Sequence, residues 1–93
     1  MIEIYFEDLY WKGKLLVFTW HFKEEFDKLK KPIEFVLDIL DEGEHVLISK
    51  RQNKYNVFYP FRRKYVCLSY VEHENIILIH VKPTTKKLEA AQK

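Results

Sequence analysis

Hydrophobic and polar positions alternate at the start of the chain, where Ile2, Ile4 and Phe6 are separated by Glu3, Tyr5 and Glu7. A period of two predicts a β-strand. Leu15-Leu16-Val17-Phe18 predicts a second strand, and Lys12-Gly13 between the two suits a tight hairpin because Gly accepts a positive φ. Asp8 leaves the end of the first strand undefined. From His21 the period changes. Phe22, Phe26 and Leu29 recur at i, i+4 and i+7, the stripe of a helix over about 20–30 with Thr19 as its N-cap. Glu24 and Glu25 stand early in that helix and Lys28, Lys30 and Lys31 late, in keeping with its dipole. Pro32 disfavours helix in the residue before it and is tolerated in the first turn of a new one, so a second helix is expected over about 32–42. Its stripe is Ile33, Val36, Leu37 and Leu40, widened by Phe35 and Ile39, and Gly43 suits its C-terminal stop.

Beyond Gly43 the pattern returns to β. Strands are expected at Val46–Lys50, Lys54–Tyr59, Lys64–Val71 and Ile76–Lys82, with Gln52-Asn53, Arg62-Arg63 and His73-Glu74-Asn75 in the connections and Pro83 as a stop. Short connections between successive strands predict an antiparallel meander. The fold class is therefore α+β: an N-terminal β-hairpin, two helices, then a four-stranded antiparallel meander with the helices packed on one face. One compact domain is expected over 1–83. A basic tail over 84–93 is expected either to add a short helix at Leu88–Ala91 or to fray. On the last strand, Ile77, Ile79 and Val81 point one way and Ile76, Leu78, His80 and Lys82 the other. The wholly apolar set is expected to meet the helices, in one core with Phe22, Phe26, Val36, Leu37 and Leu40. That places His80 and Lys82 on the far face.

Composition narrows the class. With 47% hydrophobic and 16% aromatic residues in 93, the chain can build one modest core and is far from a disordered profile. Its single cysteine, Cys67, excludes an internal disulfide and a CxxC zinc knuckle, reads as a small buried apolar residue, and fits a reducing, cytoplasmic setting. Acidic residues at positions 3, 7 and 8 argue against a signal peptide, and no apolar run is long enough to span a bilayer, so no membrane partner is expected. Few Gln, Cys and Met with abundant Lys, Glu and Ile hint at a thermophilic source.

The net charge of +2 conceals two opposed segments. Glu24–Glu44 holds eight acidic and three basic residues, whereas Lys50–Lys64 holds six basic residues and no acidic one. Lys50, Arg51, Lys54, Arg62, Arg63 and Lys64 could follow a phosphate backbone, with Tyr55, Tyr59, Phe61 and Tyr70 interleaved as stacking partners for unpaired bases.

With two glycines the chain has no P-loop, no GxGxxG and no GxSxG. His21 and Glu25 stand at i, i+4 of a helix, but no HExxH or comparable cluster accompanies them, so no metal and no cofactor is expected. His45 and His73, beside Glu44, Glu72 and Glu74, read as exposed. Metal-independent RNA cleavage stays open. It needs a base for the 2′-hydroxyl, an acid for the leaving oxygen and cations for the phosphorane charge, which His, Lys and Arg supply. His80 and Lys82, at the end of the last strand, are the first candidates, with His21 as the third.

The run from Trp20-His21-Phe22 to Val81-Lys82-Pro83-Thr84 resembles the small RelE/BrnT-type toxin fold and its uncharacterised relatives. The resemblance lies in a short β start, a helix opening with His, a second helix ending at Gly, and a meander closing on an Ile/Val-rich strand. It implies an RNA-cleaving site built from a helix His, a basic strand residue and a polar residue at the end of the last strand, to which His21, Arg51 or Arg62, and Thr84 correspond here. No aromatic residue follows Tyr70, where several such toxins carry a C-terminal Tyr. The expected function is thus a nucleic-acid-binding domain, with RNA as partner and candidate metal-independent ribonuclease activity. The alternative is a non-catalytic domain that binds a protein partner or its own copy. A homodimer through the uncovered sheet face or an edge strand is expected in either case.

Overall fold

The computed structural model describes residues 4–85, with side chains from residue 9 onward. Strands β1 (Ile4–Trp11) and β2 (Lys14–Thr19) form the expected hairpin, turned by Lys12 at φ 55° and Gly13 at φ 77°. Two helices follow, α1 (Trp20–Asp27) and α2 (Phe35–Glu42), and then β3 (Glu44–Ser49), β4 (Lys54–Phe61), β5 (Lys64–Glu72) and β6 (Ile76–Thr84). All six strands join one sheet in the order β1-β2-β6-β5-β4-β3.

The expected class and element order hold, but the sheet is mixed. The run β3 to β6 pairs antiparallel throughout, and the N-terminal hairpin docks on β6 through a parallel ladder, Leu16 opposite Ile76 and Phe18 opposite Leu78. The docking has a cause in the sequence. Leu16, Val17 and Phe18 are consecutive and all buried, as befits an interior strand covered on both faces, where a continuous apolar run replaces alternation.

Both helices are shorter than the apolar stripes predict. Thr19 caps α1, its Oγ1 accepting the Phe22 N–H at 3.2 Å and donating to the Leu78 carbonyl at 2.9 Å. The chain leaves α1 after Asp27 and passes through Lys30 at φ 60°, so Lys28, Lys30 and Lys31 follow the helix instead of forming its last turn. Pro32 opens a tight turn, with Phe35 N–H bonded to its carbonyl at 2.9 Å, and α2 proper begins at Phe35. Gly43 ends α2 in an extended conformation, φ −76°, and not the left-handed one. Glycine is required there by close packing: a Cβ would collide with Val57 Cγ1 and the Ile39 carbonyl.

The core differs from expectation on β6. Phe22, Phe26, Val36, Leu40 and Val81 are buried as expected, but Ile76 and Leu78 are fully buried while Ile77 and Ile79 are only half-buried. The register shifts between Tyr70 opposite Leu78 and Ser69 opposite His80, leaving Ile79 as the extra residue of a β-bulge. A strict period of two therefore fails across it. On α2, Ile39 is fully buried and Leu37 only partly.

Neither proline ends its strand. Pro60 lies in β4 beyond Phe58, the last β4 residue with a β3 neighbour, and Pro83 lies in β6 beyond Leu78, the last residue paired with β2. A missing N–H costs little where no strand waits to accept it. Of the expected tail, Thr84 closes β6 and Thr85 follows it, and residues 86–93 lie outside the described residues.

Candidate active site at the open edge of the last strand

The site arises where β2 gives way to α1. Past Leu78, β6 has no strand on its β2 side, and the first turns of α1 lie there instead. The Val81 N–H faces this gap and donates to Glu25 Oε1 at 3.1 Å, so a helix side chain takes the place of the missing ladder. Around the same carboxylate stand His80 Nδ1 at 3.3 Å, His21 Nε2 at 3.5 Å and Lys82 Nζ at 3.6 Å. The His21 and His80 rings are 4.7 Å apart, edge to face.

Glu25 Oε1 is within hydrogen-bond distance of the Val81 N–H and His80 Nδ1, and the His21 and Lys82 nitrogens stand near Oε2 at ion-pair distance. Its side chain is 12% exposed, whereas those of His21, His80 and Lys82 are 57%, 41% and 64% exposed. A nearly buried anion thus organises three accessible groups. Each histidine meets Glu25 through one ring nitrogen, and no protein partner holds the other among the described residues.

The structure brings the three candidate residues His21, His80 and Lys82 together, and it corrects the far-face expectation for the last two: both meet Glu25 of α1, because the bulge at Ile79 breaks the parity on which that expectation rests. The organiser, Glu25, was visible only as the i, i+4 partner of His21. Its bond to β6, 56 residues further on, has no signal in the sequence.

The six basic residues do not form one patch. Lys50, Arg51 and Lys54 lie at the β3–β4 turn and Arg62, Arg63 and Lys64 at the β4–β5 turn, at opposite ends of β4, a span of roughly 25 Å. The two groups flank the site along the strand direction. Cys67 stands opposite Lys82 and Ser69 opposite His80, between Lys64 at the start of β5 and Val71, which faces Lys54. Arg62, Arg63 and Lys64 line a cavity of about 510 Å³ with Phe61 and Pro83, and the Arg62 guanidinium lies 4.8 Å from the Phe61 ring. Arg51, Lys54, Val71, His73 and Ile79 contribute to a second cavity of about 560 Å³. Thr84 sits opposite Tyr65, at the Arg62 end of the sheet.

Two other readings change. His45 is not exposed: it donates from Nε2 to the Leu40 carbonyl at 2.8 Å, accepts from the Tyr70 hydroxyl at Nδ1 at 2.9 Å, and stacks on Trp11 at 5.3 Å. Cys67 is half-buried, and burial pushes its thiol pKa up, away from the reactive thiolate. No helix among the described residues is long and apolar enough to cross a membrane. No family model matches the chain, and neither the curated proteins nor the solved structures include a significant match to it.

Proposed function

We propose that the domain binds single-stranded RNA and cleaves it by metal-independent transfer of the phosphoryl group to the neighbouring 2′-hydroxyl. The reading is carried by the convergence of His21, His80 and Lys82 on Glu25 at an accessible strand edge. Two imidazoles a few ångströms apart can divide the work. One removes the 2′-hydroxyl proton as that oxygen attacks phosphorus, and the other protonates the departing 5′-oxygen. Lys82 supplies positive charge for the phosphorane oxygens. Glu25 orients both rings and balances whichever is protonated. The basic turns on either side, with Phe61 beside Arg62, offer the flanking phosphates and bases their contacts.

Cleavage of a single-stranded RNA in the presence of EDTA tests this reading, with binding followed against salt. Four to six phosphate contacts predict a log–log salt slope of roughly −3 to −4, flattened when Arg62 and Arg63 are both changed to Ala. Absence of salt-sensitive binding at low ionic strength overturns it. A second reading, a domain that associates with a protein or its own copy, draws support from the edge strand β3, where Leu47 and Ile48 are 48% and 46% exposed. Sedimentation that shows a concentration-independent monomer removes the homodimer form of it.

A further inference from the structure

We infer that His21, Glu25 and His80 form a binding site for a divalent transition-metal ion of the zinc class. One ligand atom from each can be chosen so that all lie within 4.8 Å of one another. Two of the separations are already close to what an ion requires. A tetrahedral zinc with bonds near 2.0–2.1 Å holds its ligands roughly 3.3–3.4 Å apart, and His80 Nδ1 lies 3.3 Å from Glu25 Oε1 while His21 Nε2 lies 3.5 Å from Oε2, each imidazole near that distance from one oxygen of the shared carboxylate. Two imidazoles and one carboxylate are a donor set suited to zinc, iron, cobalt or nickel and poorly suited to calcium or magnesium.

Three further features fit. The Val81 N–H fixes the Glu25 carboxylate at 3.1 Å, the kind of outer contact that orients a metal ligand. Each imidazole must present a lone pair to the ion and not an N–H. The other tautomer supplies it, since no partner among the described residues holds either second nitrogen. His45 lacks that freedom, because the Leu40 carbonyl and the Tyr70 hydroxyl hold both its nitrogens. Finally, His21 is 57% exposed, so the fourth position opens to solvent, as in metal sites that keep a water or take a substrate. Lys82 Nζ, 3.6 Å from Glu25 Oε2, is the competing cation, and at 64% exposure it can swing into solvent when an ion enters.

The site does not depend on RNA cleavage. The ion would take the nitrogens that face Glu25 and fix the proton on the second nitrogen of each ring, so neither ring could act as base, and added zinc is expected to inhibit that reaction. Titration of the tag-free protein with Zn²⁺ alone, by calorimetry, and with Co²⁺, by its visible absorption, tests the proposal without RNA. One ion per chain is expected, with affinity at least 100-fold lower in His21→Ala and in His80→Ala and unchanged in His73→Ala. Lys82→Met should shift affinity the other way, tightening Zn²⁺ binding several-fold. Because this gain cannot come from misfolding, it separates ligation from structural damage. Absence of Zn²⁺ binding by the native protein, or binding undiminished in folded His80→Ala, overturns the proposal.

Discussion

Histidine plays two different parts in two regions of this molecule. At the junction of β1, α2, β3 and β5, His45 is half-buried with both nitrogens engaged, its ring stacked on Trp11, whose Nε1–H donates to Asp41 Oδ1 at 2.8 Å. At the edge of β6, His21 and His80 share one carboxylate, and each is tied through a single nitrogen. A ring fixed at both ends has one tautomer and holds elements together. A ring fixed at one end is oriented yet keeps a nitrogen for a proton or a substrate. The distinction lies in the partners and not in the residue type: it makes His45 a structural residue, and under the proposed function it leaves His21 and His80 available for chemistry.

The sharpest break in this comparison is a swap of effects. His80→Ala and His21→Ala should each lower RNA cleavage about 10²–10⁴-fold with little change in the urea midpoint. His45→Ala should do the reverse, costing about 1–3 kcal/mol of stability as the Leu40 carbonyl and the Tyr70 hydroxyl lose their partner. Cleavage assays and urea titrations on all three variants check both halves, and loss of cleavage in folded His45→Ala alone would invert the assignment.

The bulge that brings His80 to the edge is tested on the same strand. Leu78→Ala should cost about 2–5 kcal/mol and Ile79→Ala less than half as much, because Leu78 is fully buried and Ile79 is the half-buried extra residue. Equal losses in chemical denaturation would contradict the register.

Tyr70 gives the buried region a pH signature of its own. Burial, reinforced by the nearby Glu72 and by Tyr55, raises its pKa far above the ordinary 10.0. Above that pH the unfolded chain loses the Tyr70 proton while the folded chain keeps it, so stability falls as pH rises. Tyr70→Phe should flatten this alkaline decline and, at neutral pH, cost about 1 kcal/mol for the lost bond to His45. Melting curves from pH 8 to pH 11.5 read both effects.

The smallest effect concerns the Arg62 turn. Arg62 sits at φ 59°, a conformation that Gly adopts more easily. Arg62→Gly should change stability by no more than about 1 kcal/mol, in the stabilising direction, while flattening the salt slope of RNA binding by about 0.7 for one lost phosphate contact. A large loss of stability with an unchanged slope would make the residue structural.

Much of this architecture is legible along the chain because it is local. The hairpin at Lys12-Gly13, the Thr19 cap and the strand connections each depend on a few neighbouring residues. What failed was parity and partnership. Ile76 to Ile79 are all aliphatic, so no polar residue marks the solvent side, and the bulge at Ile79 appears only when β5 fixes the register. The parallel docking of β2 on β6 joins to the sheet a hairpin that reads as independent in the sequence. His21 and Glu25 were visible as a helical pair, and His80 and Lys82 as neighbours on a strand. Their union depends on β2 ending at Thr19, which leaves Val81 N–H without a strand partner and gives the Glu25 carboxylate a backbone to bind. Sequence periodicity determines which residues share a face of one element, whereas the meeting of two elements is decided by where backbone hydrogen bonds would otherwise go unmade.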